Sequence, residues 1–201
     1  RCRETLEAAD FIAAEDTRVS LKLLNHLGIK KSLVSYYEHN KAFKGEKIVE
    51  RILAGETCAL VSDAGSPAIS DPGEDLVKLC HAAGITVCAI PGPCALITAL
   101  SISGQSTGRF CFEGFLSVNK PSRKAHLEEL RHEKRTMVFY EAPHKLISPL
   151  NDMKEYFGER KIALVREITK LHEEVIHTTF TEALAMYSGD KTPKGEVVLI
   201  V

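Results

Sequence analysis

The run Tyr140-Glu141-Ala142-Pro143-His144-Lys145 places a phenol, a carboxylate, an imidazole and an amine at nearly consecutive positions. Groups this close tune one another's proton affinity, and any of them can serve as a general base. Glu141 is the strongest candidate, because an acid at a strand end facing a cleft has little structural reason to be there; His144, a lone histidine beside a helix start, reads equally as a surface residue. A second run, Ser62-Asp63-Ala64-Gly65-Ser66-Pro67, continues through Ile69-Ser70-Asp71-Pro72-Gly73. Gly65 permits close backbone approach or a positive φ, Pro67 and Pro72 stiffen the loop, and Asp71 is expected to cap a helix whose first residue is Pro72. In a third, Pro91-Gly92-Pro93-Cys94-Ala95, Pro93 reads as the first residue of a helix running to Leu100. The amides of Cys94 and Ala95 would then face outward, ready for a carboxylate or a small polar group. An ordinary proline-initiated helix explains the same spacing equally well.

These runs need elements to hold them. Apolar β-type stretches at 11–14, 33–36, 58–61 and 86–90 alternate with helical patterns at 17–27, 44–53 and 73–83, the last stopped by Gly84, which predicts a mostly parallel sheet with crossover helices. After Gly104 strands dominate, at 109–115, 137–140, 161–166, 174–180 and 196–201, and residues 168–173 are short enough to join two of them as a hairpin, so a mixed sheet is expected. The Ser/Gly/Thr-rich stretch 103–108 reads as a linker, dividing the chain into α/β domains 1–105 and 106–201. Each of the three runs follows a predicted strand directly, which in open α/β sheets is where ligands collect.

Composition excludes much. A chain of 201 residues with 44% hydrophobic content can bury a sizeable core, and 26 Lys and Arg against 27 Asp and Glu leave no global field to draw it onto a polyanion or a membrane. No apolar stretch reaches bilayer length, and the first ten residues lack the pattern of a signal peptide. The six cysteines form no C-x-x-C pair and several sit in apolar runs, so they are read as reduced core thiols of a cytoplasmic protein. Glycine-rich dinucleotide, P-loop and nucleophile-elbow motifs are missing, and His172 and His177 carry no metal-ligand pattern around them, so no metal is expected. Local basic clusters remain at Lys120, Arg123, Lys124, Arg131, Lys134 and Arg135, and in the first half at Lys30, Lys31, Lys41, Lys44 and Lys47. They are either a phosphate-contacting surface or simply the solvated faces of amphipathic helices.

Together, Ala13-Ala14-Glu15-Asp16-Thr17-Arg18, Glu38-His39-Asn40, the loops at 62–73 and 91–100, Phe112-Glu113-Gly114-Phe115-Leu116, the 140–145 run, Arg166-Glu167-Ile168-Thr169-Lys170 and Lys194-Gly195-Glu196 resemble, in order along the whole chain, the tetrapyrrole methylase-like superfamily. Within it the likeness is to the branch that methylates the ribose 2'-hydroxyl of a cytidine in small-subunit (16S) ribosomal RNA. Cys94 stands where that pattern commonly has serine and Lys145 where arginine is usual, and the pattern usually opens with a further strand that this sequence does not include. The resemblance implies two α/β domains with S-adenosylmethionine in a cleft between them, a homodimer, and 16S ribosomal RNA or the small subunit as partner. It implies cofactor contacts at Gly65, Ser66, Pro67, Ile69, Cys94, Ala95, Tyr140, Ala142 and Gly195. Glu141 and Glu167 are the candidate bases, with Lys170 as a positioning charge, and Asp16, Arg18, His39 and Asn40 are candidates to face RNA. Methylation of a tetrapyrrole ring carbon, or a non-catalytic RNA- or ligand-binding role, are the alternatives.

Overall fold

The computed structural model describes residues 1–187 and 194–201, which form two compact units, Arg1–Pro93 and Cys94–Val201. In the first unit, helix α1 (Cys2–Ala8) leads into strand β1 (Phe11–Ala14), then α2 (Thr17–Leu27), β2 (Ser32–Ser35), α3 (Lys41–Leu53), β3 (Cys58–Val61) and α4 (Gly73–Ala82). The sheet runs β2-β1-β3 with both pairings parallel. As the central strand, β1 is wholly buried, and its alternation divides the core: Ile12 meets Leu6, Leu24 and Ile29, while Phe11 and Ala13 meet Tyr36, Ile48, Leu76 and Cys80. Helices must cover both faces of such a strand, which is why it reads as an unbroken apolar run.

One expected strand is absent. Residues 86–90 form no strand, and Val87 is 41% exposed. An apolar run of this length suits an extended conformation, but a strand also needs a hydrogen-bonding neighbour, and among the described residues β3 pairs only with β1.

The second unit comprises α5 (Ala95–Ile102), β4 (Phe110–Phe115), α6 (Lys120–Glu129), β5 (Thr136–Glu141), a 3-10 turn (Pro143–Lys145), α7 (Ile147–Phe157), β6 (Lys161–Arg166), β7 (Glu174–Thr179), α8 (Phe180–Met186) and β8 (Val197–Ile200). The sheet order is β4-β5-β8-β6-β7; β4 and β5 are parallel, the other pairs antiparallel, and β6 and β7 form the expected hairpin. One face packs Met137, Phe139, Leu164 and Leu199 against Leu127, Leu150, Met153 and Phe180. The other packs Val138, Ala163, Val165 and Ile200 against Leu96, Ala99 and Leu100 of α5. That packing puts α5 in the second unit, so the compact units part at 93/94, whereas the linker composition had pointed to 103–108. Helix α5 also begins later than read from Pro93: Cys94 is its extended N-cap. No helix among the described residues is long and apolar enough to cross a membrane.

Helices α6 and α7 are joined beneath the surface by Arg123 and Asp152, whose side chains are only 6% and 9% exposed and meet at 2.7 Å. The guanidinium also donates to the Ser117 carbonyl at 2.9 Å and to Ser148 Oγ at 2.8 Å. Breaking a buried pair from one side strands the other charge, so Arg123→Met should lower unfolding stability by about 3–5 kcal/mol. Arg123→Met combined with Asp152→Leu should recover most of that loss in urea titrations.

Candidate active site

At the carboxyl end of β5 the alternation of a strand sends Tyr140 and Glu141 to opposite faces. Tyr140 turns toward α5, where its hydroxyl accepts a hydrogen bond from the Leu96 amide at 2.9 Å. The ring meets Phe112 and Phe115 edge-on, at centroid distances of 4.9 and 5.5 Å. One amide of the helix start is thus already satisfied by the phenol, whose pKa is raised by burial. No side chain caps α5 at Cys94.

Glu141 turns the other way and is only 4% exposed, with Oε1 lacking any hydrogen-bond partner. Burial pushes its acid up to about 7, against the opposing pull of Arg123 and Lys145. It lines a cavity of about 740 Å³ together with Leu116, Arg123, His144, Lys145, Ser148 and Asp152. Ser148 and Asp152 escaped the sequence reading. Only packing brings α7 under the end of β5, and a serine and an aspartate on an amphipathic helix carry no local signal.

Glu167, Lys170 and Gly195 come together at the same edge of the sheet. Val197 of β8 pairs with Glu141 on one side and Arg166 on the other, so the ends of β5 and β6 lie about 10 Å apart, two strand spacings. Lys170 Nζ donates to Glu167 Oε1 and Glu196 Oε2, both at 2.9 Å, and the Glu196 amide donates to Glu167 Oε1 at 2.8 Å. These bonds hold the Glu167 acid below its ordinary range and Lys170 above its own. Gly195, at φ 84°, leaves no room for a side chain, because a Cβ there would collide with Glu167. The two candidate bases therefore differ: Glu167 is a satisfied carboxylate and a poor base at neutral pH, whereas Glu141 sits near neutrality.

In the first unit the 62–73 loop is held by its own polar groups. Ser62 Oγ donates to the Gly65 carbonyl at 3.2 Å, Ser66 Oγ donates to the Pro93 carbonyl at 3.0 Å, and Asp71 accepts from the Gly73 amide at 2.7 Å. The sequence leads one to expect Asp71 to cap a helix beginning at Pro72, but α4 begins at Gly73 with Pro72 as its N-cap and no side-chain cap, so the Asp71 bond closes a local turn just before the helix. Gly65 has φ 76°, and Ala68 and Ser70 occupy the left-handed region at 67° and 63°. Non-glycine residues held there cost about 1–3 kcal/mol each, a cost concentrated at functional loops. Ile69 stands 43% exposed beside them.

The residues proposed to face RNA have local duties. Asp16 caps α2 by accepting from the Arg18 amide at 2.8 Å, and its carboxylate also pairs with the Arg18 guanidinium. Asn40 accepts from the Tyr37 amide at 2.8 Å and donates to the Ser35 carbonyl. Several basic residues are likewise engaged: Lys41 with Glu38 and Asp75, Lys124 with Glu155, Arg131 with Glu128 and Arg135 with Glu133. Arg123, grouped with them by sequence, is buried against Asp152. The six cysteines are free thiols, and among the described residues no cluster of His, Cys, Asp and Glu could hold a metal.

The fold is similar to that of a solved uroporphyrin-III C-methyltransferase from Thermus thermophilus. That structure superposes with a TM-score of 0.65 at 18% identity over 98% of this chain and 84% of its own. The family model for tetrapyrrole (corrin/porphyrin) methylases matches residues 1–184. Among curated relatives, this chain is 46% identical to ribosomal RNA small subunit methyltransferase I of Synechocystis sp., and 48% identical to that of Halalkalibacterium halodurans. Each alignment covers all of this chain and, respectively, 72% and 69% of the relative. The chain belongs to the tetrapyrrole methylase family, within the branch formed by the ribosomal RNA small subunit methyltransferase I sequences. The methyl donor of this methyltransferase family is S-adenosylmethionine. Gly65 lies close to the Pro93 carbonyl, 3.5 Å from where a Cβ would stand, so the loop backbone at this point is open to a ligand group that a side chain would crowd.

The raised Glu141 acid has a consequence for stability. A folded-state value above the unfolded one means that stability is greatest below about 4.5, the ordinary value, and is lost as pH rises through about 7. Glu141→Gln cannot ionise, so its stability relative to the wild type should rise by on the order of 3 kcal/mol between pH 4.5 and 8. Parallel curves in urea titrations across that range would refute the assignment.

Proposed function

We propose that this chain transfers a methyl group from S-adenosylmethionine to the ribose 2'-hydroxyl of a cytidine in 16S ribosomal RNA, acting as a cytoplasmic homodimer without a metal. The observation that carries the reading is the 46–48% identity, over the whole chain, to proteins named for methylating small-subunit ribosomal RNA. When bound, S-adenosylmethionine supplies a methyl on a positively charged sulfur, already activated toward a nucleophile. The chain is left to bind, orient and deprotonate. In the first unit Gly65, Ser66, Pro67 and Ile69 would contact the cofactor, the serine hydroxyl and the loop backbone presenting its polar groups. In the second unit Cys94, Ala95, Tyr140, Ala142 and Gly195 would do so, Tyr140 fixing the start of α5 through Leu96.

A ribose hydroxyl is a weak nucleophile until its proton leaves, and Glu141 is the group suited to take it. Near pH 7 it exists in both protonation states, whereas Glu167 is held ionised by Lys170 and by the Glu196 amide. Lys170 then acts by holding the Glu167 and Glu196 carboxylates together at the sheet edge.

The test is transfer of labelled methyl to small ribosomal subunits lacking the modification, with a metal-free tetrapyrrole precursor in parallel. Label on a cytidine ribose supports the reading; label on the tetrapyrrole alone replaces it with ring-carbon methylation. The base must be ionised, so wild-type turnover should rise with pH through about 7 and then level off. Glu141→Gln should lose that inflection along with about 10²–10⁴-fold in turnover while keeping its cofactor affinity. Unchanged turnover would remove Glu141 from the role.

A further inference from the structure

The lip of the Glu141 cavity carries charge that the fold does not use. Lys120 opens α6, Lys145 closes the 3-10 turn, and His144 lies beside it; all three line the cavity and are solvent-exposed. Neither lysine makes an ion pair among the described residues, in contrast to Lys124 and Arg123 of the same helix, which pair with Glu155 and Asp152. Among the described residues no carboxylate on the cavity wall forms an ion pair with the lip lysines, although Lys145 acts on Glu141 through space. Asp152 is spent on Arg123 at 2.7 Å, and Glu141 is buried at the floor with Oε1 unpartnered. A further source of positive potential is the start of α7, an eleven-residue helix with no side-chain cap, whose first residues line the same cavity. The Leu146 amide is taken by the Pro143 carbonyl and Pro149 carries none, which leaves the Ile147 and Ser148 amides to favour an anion.

We infer that this cavity is a phosphodiester subsite, in which Lys120 and Lys145 grip a backbone phosphate next to the target ribose and so present the sugar hydroxyl to Glu141. The inference rests on the RNA reading above and deepens it by naming the part of the substrate that the second unit holds. A cavity of about 740 Å³ has room for one nucleotide. The arrangement differs from a merely basic surface in having a cationic rim over an acidic floor: the rim attracts the phosphate, and the floor faces the sugar. Lys120 and Lys145 are positioning residues on this account.

Both lysines are exposed, so Lys120→Ala/Lys145→Ala should fold like the wild type. With small ribosomal subunits as substrate, the double variant should raise KM about tenfold or more, the scale of lost charge-assisted hydrogen bonds. The loss should sit in KM far more than in kcat. Its log–log salt dependence should be shallower by about 0.7, the value for one single-strand phosphate contact. Affinity for S-adenosylmethionine by calorimetry should not move, and Lys145→Arg should retain wild-type KM. An unchanged KM and salt slope would overturn the subsite. Should the wild type methylate no RNA, the reading above fails, and the subsite is judged by equilibrium binding of a single-stranded RNA oligonucleotide. Weaker, less salt-sensitive binding by the double variant supports it, and equal binding by the two proteins overturns it.

Discussion

Successive side chains of an extended strand cannot share a face, and at the end of β5 that constraint separates two residues that are adjacent in sequence. Tyr140 is committed to α5 and the aromatic pair Phe112 and Phe115; Glu141 is committed to the cavity under α7. The strand is held at this register by hydrogen bonding on both sides, to β4 and to β8. A one-residue slip would exchange the two groups and bury a phenol where the acid now sits. The phenol organises a helix start and the acid is left buried and unpartnered because the pleat assigns them so.

Burial then decides what each charged group can do. Of the acids at this sheet edge, Glu167 is surrounded by donors and kept ionised, while Glu141 is nearly removed from water with an oxygen unpaired. The same carboxylate chemistry yields a structural tie in one place and a buried acid raised toward neutrality in the other. Arg123 illustrates the converse. A residue that reads as part of a basic face spends its guanidinium inside the protein on Asp152, Ser117 and Ser148, joining α6 to α7 and so forming the wall that encloses Glu141.

The first unit contributes backbone more than side chains. Its strand β3 ends in a loop that holds Gly65, Ala68 and Ser70 at positive φ, and hydrogen bonds donated by Ser62 and Ser66 and accepted by Asp71 maintain that shape. A loop stiffened in this way presents amides and carbonyls in fixed directions instead of a set of mobile side chains.

Much of this is legible in the residues themselves. The apolar periods mark β1, β2, β3 and the strands of the mixed sheet, and the ordered succession of loops identifies the family, because each of these signals is local and repeats a short-range physical rule. The strand expected at 86–90 did not form, and α5 joined the second unit, because hydrogen-bond partners and buried surface come from residues distant in sequence. For the same reason the opposite facing of Tyr140 and Glu141, the loss of Arg123 from the basic surface and the contrast between Glu141 and Glu167 were settled only by tertiary structure. Proton affinity and charge availability depend on desolvation and on which groups lie within a few ångströms, and those neighbours are assembled only by the fold.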